Sequence, residues 1–175
     1  MIEICRKMKN KLLIFITFAA LIAAGGAFWA FRLSRSEEHK VKQVINQLVD
    51  LGNRPENPGP AELAIKITAI DNIFAEQVIL DFGRRWNSGV FSNRSIEPLL
   101  VQYRKAFIHA ELKMDDLTIN IPDQETANAL FSCRLTGKLH RGDYIEEVRD
   151  VECRLKKIEG SWRIDKLEVN EVLER

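Results

Sequence analysis

The chain is poor in the residues that build catalytic and metal sites. It has only three cysteines and three histidines. His39, His109 and His140 lie far apart, with no cysteine or acid at ligand spacing, so no metal site is expected. There is no glycine-rich phosphate loop and no GxGxxG, HExxH, CxxC or GxSxG. The enzyme classes those motifs announce lose their support, and no cofactor is expected. Basic tracts are missing as well. Residues 1–36 hold six basic side chains and one acidic one, which leaves 20 against 24, a net of −4, over the other 139 residues. Nucleic-acid binding rests largely on phosphate neutralisation, so nucleic acid is not an expected partner. Repeats and low-complexity tracts are also absent, and 139 residues suffice for one domain with a sizeable core.

Against this background one stretch stands out. "LLIFITFAALIAAGGAFWAF", residues 12–31, is uncharged in a chain where 29% of residues are charged. As a helix it would extend about 30 Å, the thickness of a bilayer's hydrocarbon core. Arg6, Lys7, Lys9 and Lys11 precede it, whereas Arg32 and Arg35 are soon countered by Glu37 and Glu38, a bias that keeps the N-terminus cytoplasmic. Cleavage is the rival reading. Ala23 to Ala27 supplies small residues, but Phe28-Trp29-Ala30-Phe31 carries the apolar run past them. The sequence therefore predicts a cytoplasmic stub (1–11), a transmembrane signal anchor (12–31), a juxtamembrane linker (32–36) and one domain (37–175). The protein is expected in the cell membrane as a single-pass chain. Its C-terminal domain would be extracytoplasmic, periplasmic if the cell is Gram-negative.

Ser34 and Glu37 fit a capping box, and Val41, Val44, Ile45, Leu48 and Val49 follow at helical spacing, which predicts a helix over about 36–51 ending at Gly52. A stiff proline-containing loop leads to a second helix over about 60–75, with Leu63, Ile67, Ile70 and Phe74 on one face. "QVILDF" (77–82) reads as a brief strand and "RRWNSGVFSN" as a loop exposing Trp86 and Phe91. Ser95 is expected to cap a third helix, whose stripe is Ile96, Leu99, Leu100, Tyr103 and Phe107. The period then becomes two. Ile108, Ala110, Leu112 and Met114 alternate with polar residues, as do Leu117, Ile119 and Ile121 after Asp115-Asp116. Long strands follow, turning at "PDQE", "HRGDY" and "EGS". The apolar phase slips between Ile164 and Leu167, where a bulge or two-sided burial is expected. Three helices and an antiparallel meander make an α+β domain.

This order, with "GSWRIDKLEV" in the last hairpin, resembles the nuclear transport factor 2-like superfamily, including its SnoaL-like and ketosteroid-isomerase-like members. The resemblance covers about residues 37–172 and implies a cone: three helices packed on a curved antiparallel sheet. It also implies that the outer sheet face often dimerises. Enzymes of this family keep an Asp, Tyr or His inside the cone, which singles out Asp81 and Tyr103 as weak catalytic candidates, with Asp71 weaker still. No matching histidine or second acid accompanies them. Phe74, Phe82, Phe107, Phe131 and Trp162 are candidates to line a pocket, although a filled core would use the same residues.

Cys133 and Cys153 share the apolar parity of neighbouring strands. Direct opposition would pair Arg141 with Ile145 and bring the two sulfurs together. A shift of two sets Cys133 opposite Val151, and a two-residue Gly142-Asp143 turn would put apolar residues opposite polar ones unless a bulge intervenes. A cross-strand disulfide and two unbonded core thiols both stay open.

The function expected is that of a membrane-anchored, extracytoplasmic, non-catalytic domain in envelope assembly or scaffolding. Its partners would be the membrane through residues 12–31 and a second copy or an envelope complex. The alternatives are a module holding a small apolar ligand or, less favoured, an isomerase- or dehydratase-like enzyme.

Overall fold

The computed structural model describes residues 36–59, 61–83 and 88–171. The apolar stretch 12–31, the cap residue Ser34 and Trp86 lie outside them. No helix among the described residues is long and apolar enough to cross a membrane.

Helix α1 covers residues 36–52 and buries Val41, Val44, Ile45 and Leu51. Helix α2, Glu62–Ile73, leads directly into strand β1, Phe74–Asp81. Strand β2, Gly89–Ser92, pairs back on β1 where a loop was expected, and its Phe91 packs against the core. Helix α3, Ile96–Ala106, follows a 3₁₀ turn over Asn93–Ser95. Ser95 makes no cap bond; its hydroxyl pairs with that of Ser92 at 2.8 Å. Four long strands complete the domain: β3, Phe107–Asn120; β4, Thr126–Leu139; β5, Tyr144–Ile158; and β6, Ser161–Glu171.

The fold is α+β, as expected, with three helices on a curved sheet. The sheet is mixed, however. Its order is β2-β1-β6-β5-β4-β3, and β1 runs parallel to β6 while the other neighbours are antiparallel. Strand β1 follows α2 without a turn and lies beside β6 in the same direction.

Register shifts mark the phase changes along the strands, three of them among β3 to β6 and another between Phe74 and Ile79 on β1. Asp116, at φ 56°, sits where the β3–β4 register shifts, so "KMDDLT" is one continuous strand that swaps faces. A second shift lies between Phe107 and His109. The third falls opposite Arg154 and Leu155 and inserts Asp165 between Ile164 and Lys166, the slip anticipated from the sequence. The β4–β5 register differs from every expected alternative. Cys133 pairs with Arg149 and Cys153 with Ala129. Gly142, at φ 100°, sets this register by donating to the Leu139 carbonyl at 2.9 Å, so the turn is centred on His140 to Gly142.

The core lies between the helices and the inner sheet face. Ile45, Ile73, Val78, Leu155 and Ile164 are fully enclosed there. Two helix faces differ from expectation. On α2, Lys66 is buried with Ile70 and Ile73. On α3, Arg104 is buried with Ile96 and Leu100, while Leu99 is exposed.

Candidate functional site

The five candidate pocket aromatics converge on the inner side. Phe74, Phe107, Phe131 and Trp162 are buried, and Phe82 packs half-buried against the same core. Tyr103 joins them from α3. Its ring lies 4.9 Å from that of Phe107, and its hydroxyl donates to the Gly52 carbonyl at 3.0 Å. Burial, then the neighbouring Cys133, push the phenol above its ordinary range despite the nearby Arg104. Tyr103 is therefore a neutral donor already engaged with the backbone at the end of α1.

Asp81 goes the other way. Val78 and Leu80 point inward, and Leu80 pairs with the buried Leu167, so Asp81 stands with Ile79, Lys166 and Glu168 on the outer face. Its Oδ1 accepts from the Ser88 hydroxyl at 2.7 Å and from Gly83 N–H at 3.0 Å. Those bonds, Ser88 first, hold the carboxyl below its usual range. Asp81 and Tyr103 thus occupy opposite faces of the sheet and do not meet. Asp71 accepts from the Asn93 amide at 3.0 Å on the exposed side of α2.

Cys133 and Cys153 are both buried and unbonded. The observed register offsets them by four residues, about 13 Å along the strands, beyond the Cα separation a disulfide tolerates. Burial raises both thiols, Cys133 with a contribution from Asp115, and Cys153 to about 12 with one from Glu152. Neither is poised as a nucleophile.

The least anticipated feature is a polar junction at the end of α1. Carbonyls left free there by the helix are taken by side chains from the other two helices. Lys66 Nζ donates to the Asp50 and Asn53 carbonyls, the latter at 2.7 Å, and Arg104 to Asn53 at 3.2 Å. Glu62 accepts from Arg104 at 2.9 Å. The chain then zips onto the outer edge of β3. Arg54 and Ala110 exchange backbone bonds of 2.7 and 2.9 Å, and Asn53 Oδ1 accepts from Leu112 N–H at 2.6 Å. These contacts cover part of an otherwise free strand edge. Spacing offered one signal for this junction: Lys66 and Arg104 each sit four residues from an apolar face position, at Ile70 and Leu100. Gly52 is no left-handed cap; a Cβ there would lie 3.0 Å from the Leu112 side chain.

Two surface recesses accompany these elements. One of about 380 Å³ lies between α1 and α2, and one of about 460 Å³ lies on α3 around Pro98 and Val101. None of the five aromatics lines either. Among the described residues no three His, Cys, Asp or Glu side chains gather as a metal site.

No family model matches the sequence, and no curated protein matches it. Solved structures do match in fold. A nuclear transport factor 2-like protein of Salmonella enterica serovar Typhimurium superposes with a TM-score of 0.64 at 15% identity, over 81% of this chain and 94% of its own. A hexachlorocyclohexane dehydrochlorinase, LinA type 2, gives 0.65 at 8% identity, over 80% and 88%. A protein of Novosphingobium aromaticivorans, described as nuclear transport factor 2-like with a cystatin-like fold, gives 0.62 at 14%, over 83% and 89%. The element order, the mixed curved sheet and these superpositions agree: the described chain is a domain of the nuclear transport factor 2-like fold.

Proposed function

We propose that this domain acts by binding rather than by catalysis, as a membrane-anchored extracytoplasmic component of envelope assembly. The observation that carries the non-catalytic reading is the separation of its candidate groups. Asp81 faces outward with a lowered pKa, and Tyr103 faces inward with its hydroxyl on Gly52. A general acid–base site needs groups that converge on one reacting atom. The anchor rests on the uncharged run 12–31 and its basic flank.

The partner surface we assign is the outer sheet face. Glu152, Glu168 and Asp81 stand side by side across β5, β6 and β1, next to the opposed cations Arg154 and Lys166. Lys166 pairs with Glu168 at 2.5 Å and Arg154 with Asp165 at 2.7 Å, so the face presents a pattern of both signs to which a second copy or an envelope protein can be complementary.

The test is mass spectrometry of the full-length protein extracted gently from its native membrane, beside a Glu152→Lys/Glu168→Lys variant. Stoichiometric protein companions that the variant loses are the expected result. A bound lipid or other small apolar molecule, with no protein companion, would overturn the scaffold reading in favour of a ligand-binding module. The fold is compatible with that module and with an enzyme, since a dehydrochlorinase shares it.

A further inference from the structure

The recess between α1 and α2 lies outside the sheet-lined interior and has a chemistry of its own. Its volume, about 380 Å³, is within the range of small-ligand sites. Three primary amides, Asn46, Gln47 and Asn72, line it together with the Asp50 carboxylate, Lys66 and an apolar wall that includes Ile65. Lys66 is the unusual member, because its side chain is nine-tenths buried. Two of its three N–H bonds go to the Asp50 and Asn53 carbonyls. The nearest carboxylate oxygens to the third, on Glu62 and Asp50, are 3.7 and 3.8 Å away, too far for a hydrogen bond. A buried ammonium, held by two carbonyls and ion-paired with Glu62 and Asp50, thus borders an open recess that is mostly apolar, with three exposed amides around it. Asp50 stands beside it with its side chain 73% exposed.

We infer that this recess is a binding site for a hydroxyl-rich ligand, either a saccharide or the polyol part of a lipid headgroup. Elimination supports this class. An anion would meet Asp50 and the negative end of the α1 dipole. A cation would meet Lys66. A wholly apolar ligand would take water from the exposed Asn46, Gln47 and Asn72 amides without replacing its hydrogen bonds. A hydroxyl both donates and accepts. It accepts a hydrogen bond from Lys66, donates one to the Asp50 carboxylate, and leaves neighbouring hydroxyls for Asn46, Gln47 and Asn72. Ile65, 68% exposed, offers a surface to the C–H face of a sugar ring. This site is independent of the scaffold reading and of the anchor.

The test uses the full ¹⁵N-labelled chain, held where necessary in a zwitterionic detergent without a sugar headgroup. Maltose, cellobiose and diacetylchitobiose serve as saccharide probes, with glycerol and myo-inositol as headgroup polyols. The expected result is saturable binding at millimolar concentration that shifts the side-chain amide signals of Asn46, Gln47 and Asn72. Asn46→Ala and Asn72→Ala, both at exposed positions with melting temperatures expected to match the wild type, should each weaken it by about three- to tenfold. Selective response to disaccharides would identify a glycan source, and selective response to inositol or glycerol a lipid headgroup. Either supports the site. Overturning it requires only that the three amides fail to shift with every probe, or that binding is unchanged in the Asn46→Ala/Asn72→Ala double variant.

Discussion

At Gly137 a Cβ would come within 2.8 Å of the Phe107 ring and 2.9 Å of the His109 carbonyl oxygen, with β3 bulged beside it. Backbone cannot yield as a flexible side chain does. Gly137→Ala should therefore destabilise the domain by about 1–3 kcal/mol, read as a lower urea midpoint at unchanged slope. Phe107→Leu in the same chain should recover part of that loss by removing the ring, and strict additivity of the two changes would sink the explanation. Asp165 is the complementary case, a carboxylate that a bulge aims at cations. Its oxygens accept from Arg154 at 2.7 to 3.2 Å, and Lys156 lies 3.0 Å away. Burial works to raise its pKa, but these hydrogen bonds and charges outweigh burial and the net shift is downward. A depressed folded-state pKa means a contribution that is present above the unfolded value, about 3.9, and lost as pH falls below it. Asp165→Asn should be less stable than the wild type at neutral pH, and the gap should narrow on acidification below about pH 4. Denaturation midpoints measured across that range check the sign. Asp81 and Asp123, shifted the same way by their turn hydrogen bonds, keep some acid sensitivity in the variant.

Among the elements, the β5–β6 hairpin offers the clearest test of turn chemistry. Ile158 pairs with Ser161, and the two residues between them, Glu159 and Gly160, have φ of 51° and 80°. Such a two-residue turn favours Asn-Gly over Glu-Gly, because asparagine tolerates the left-handed region better. Glu159→Asn is expected to add about 0.5–1 kcal/mol, seen as a higher melting temperature. Unchanged or lower stability would count against this account of the turn. This hairpin was legible in "EGS", as were the three helices from their 3.6-residue spacing and the β6 slip from its broken alternation. Other features were not legible, for physical reasons. Strand β2 is four residues long and owes its pairing to β1, so no periodicity announces it. The parallel β1–β6 pair joins segments far apart in sequence. The β4–β5 register turns on one left-handed glycine, and "HRGDY" offers several positions for it. Lys66 and Arg104 look solvated by composition; their burial depends on carbonyls that become available only when α1 ends against α2 and α3. Asp81 was visible as a residue, but the face it takes was fixed only by the pairing of Leu80 with Leu167.

At the scale of the whole molecule, register and burial together determine how the domain responds to oxidants. Cys133 and Cys153 point to the same side of adjacent strands, yet each is opposite another residue, Arg149 and Ala129. A four-residue offset leaves the sulfurs unable to bond without moving a strand, and a slip by an odd number would turn the core face of β4 or β5 to solvent. Reactivity is suppressed as well. Cys153 is fully enclosed, Cys133 is 8% exposed, and burial raises both thiols, so little thiolate exists near neutral pH. The native protein should therefore keep both thiols reduced even if residues 37–175 lie outside the cytoplasm. Mild oxidation followed by intact-mass and peptide analysis is expected to leave the Cys133 and Cys153 peptides unlinked. A thiol-specific reagent should label them slowly in the folded chain and quickly in denaturant, with Cys5, outside the described residues, serving as the third thiol of the full-length protein. A Cys133–Cys153 cross-link formed under native conditions would overturn the β4–β5 register, in which Cys133 is opposite Arg149 and Cys153 opposite Ala129.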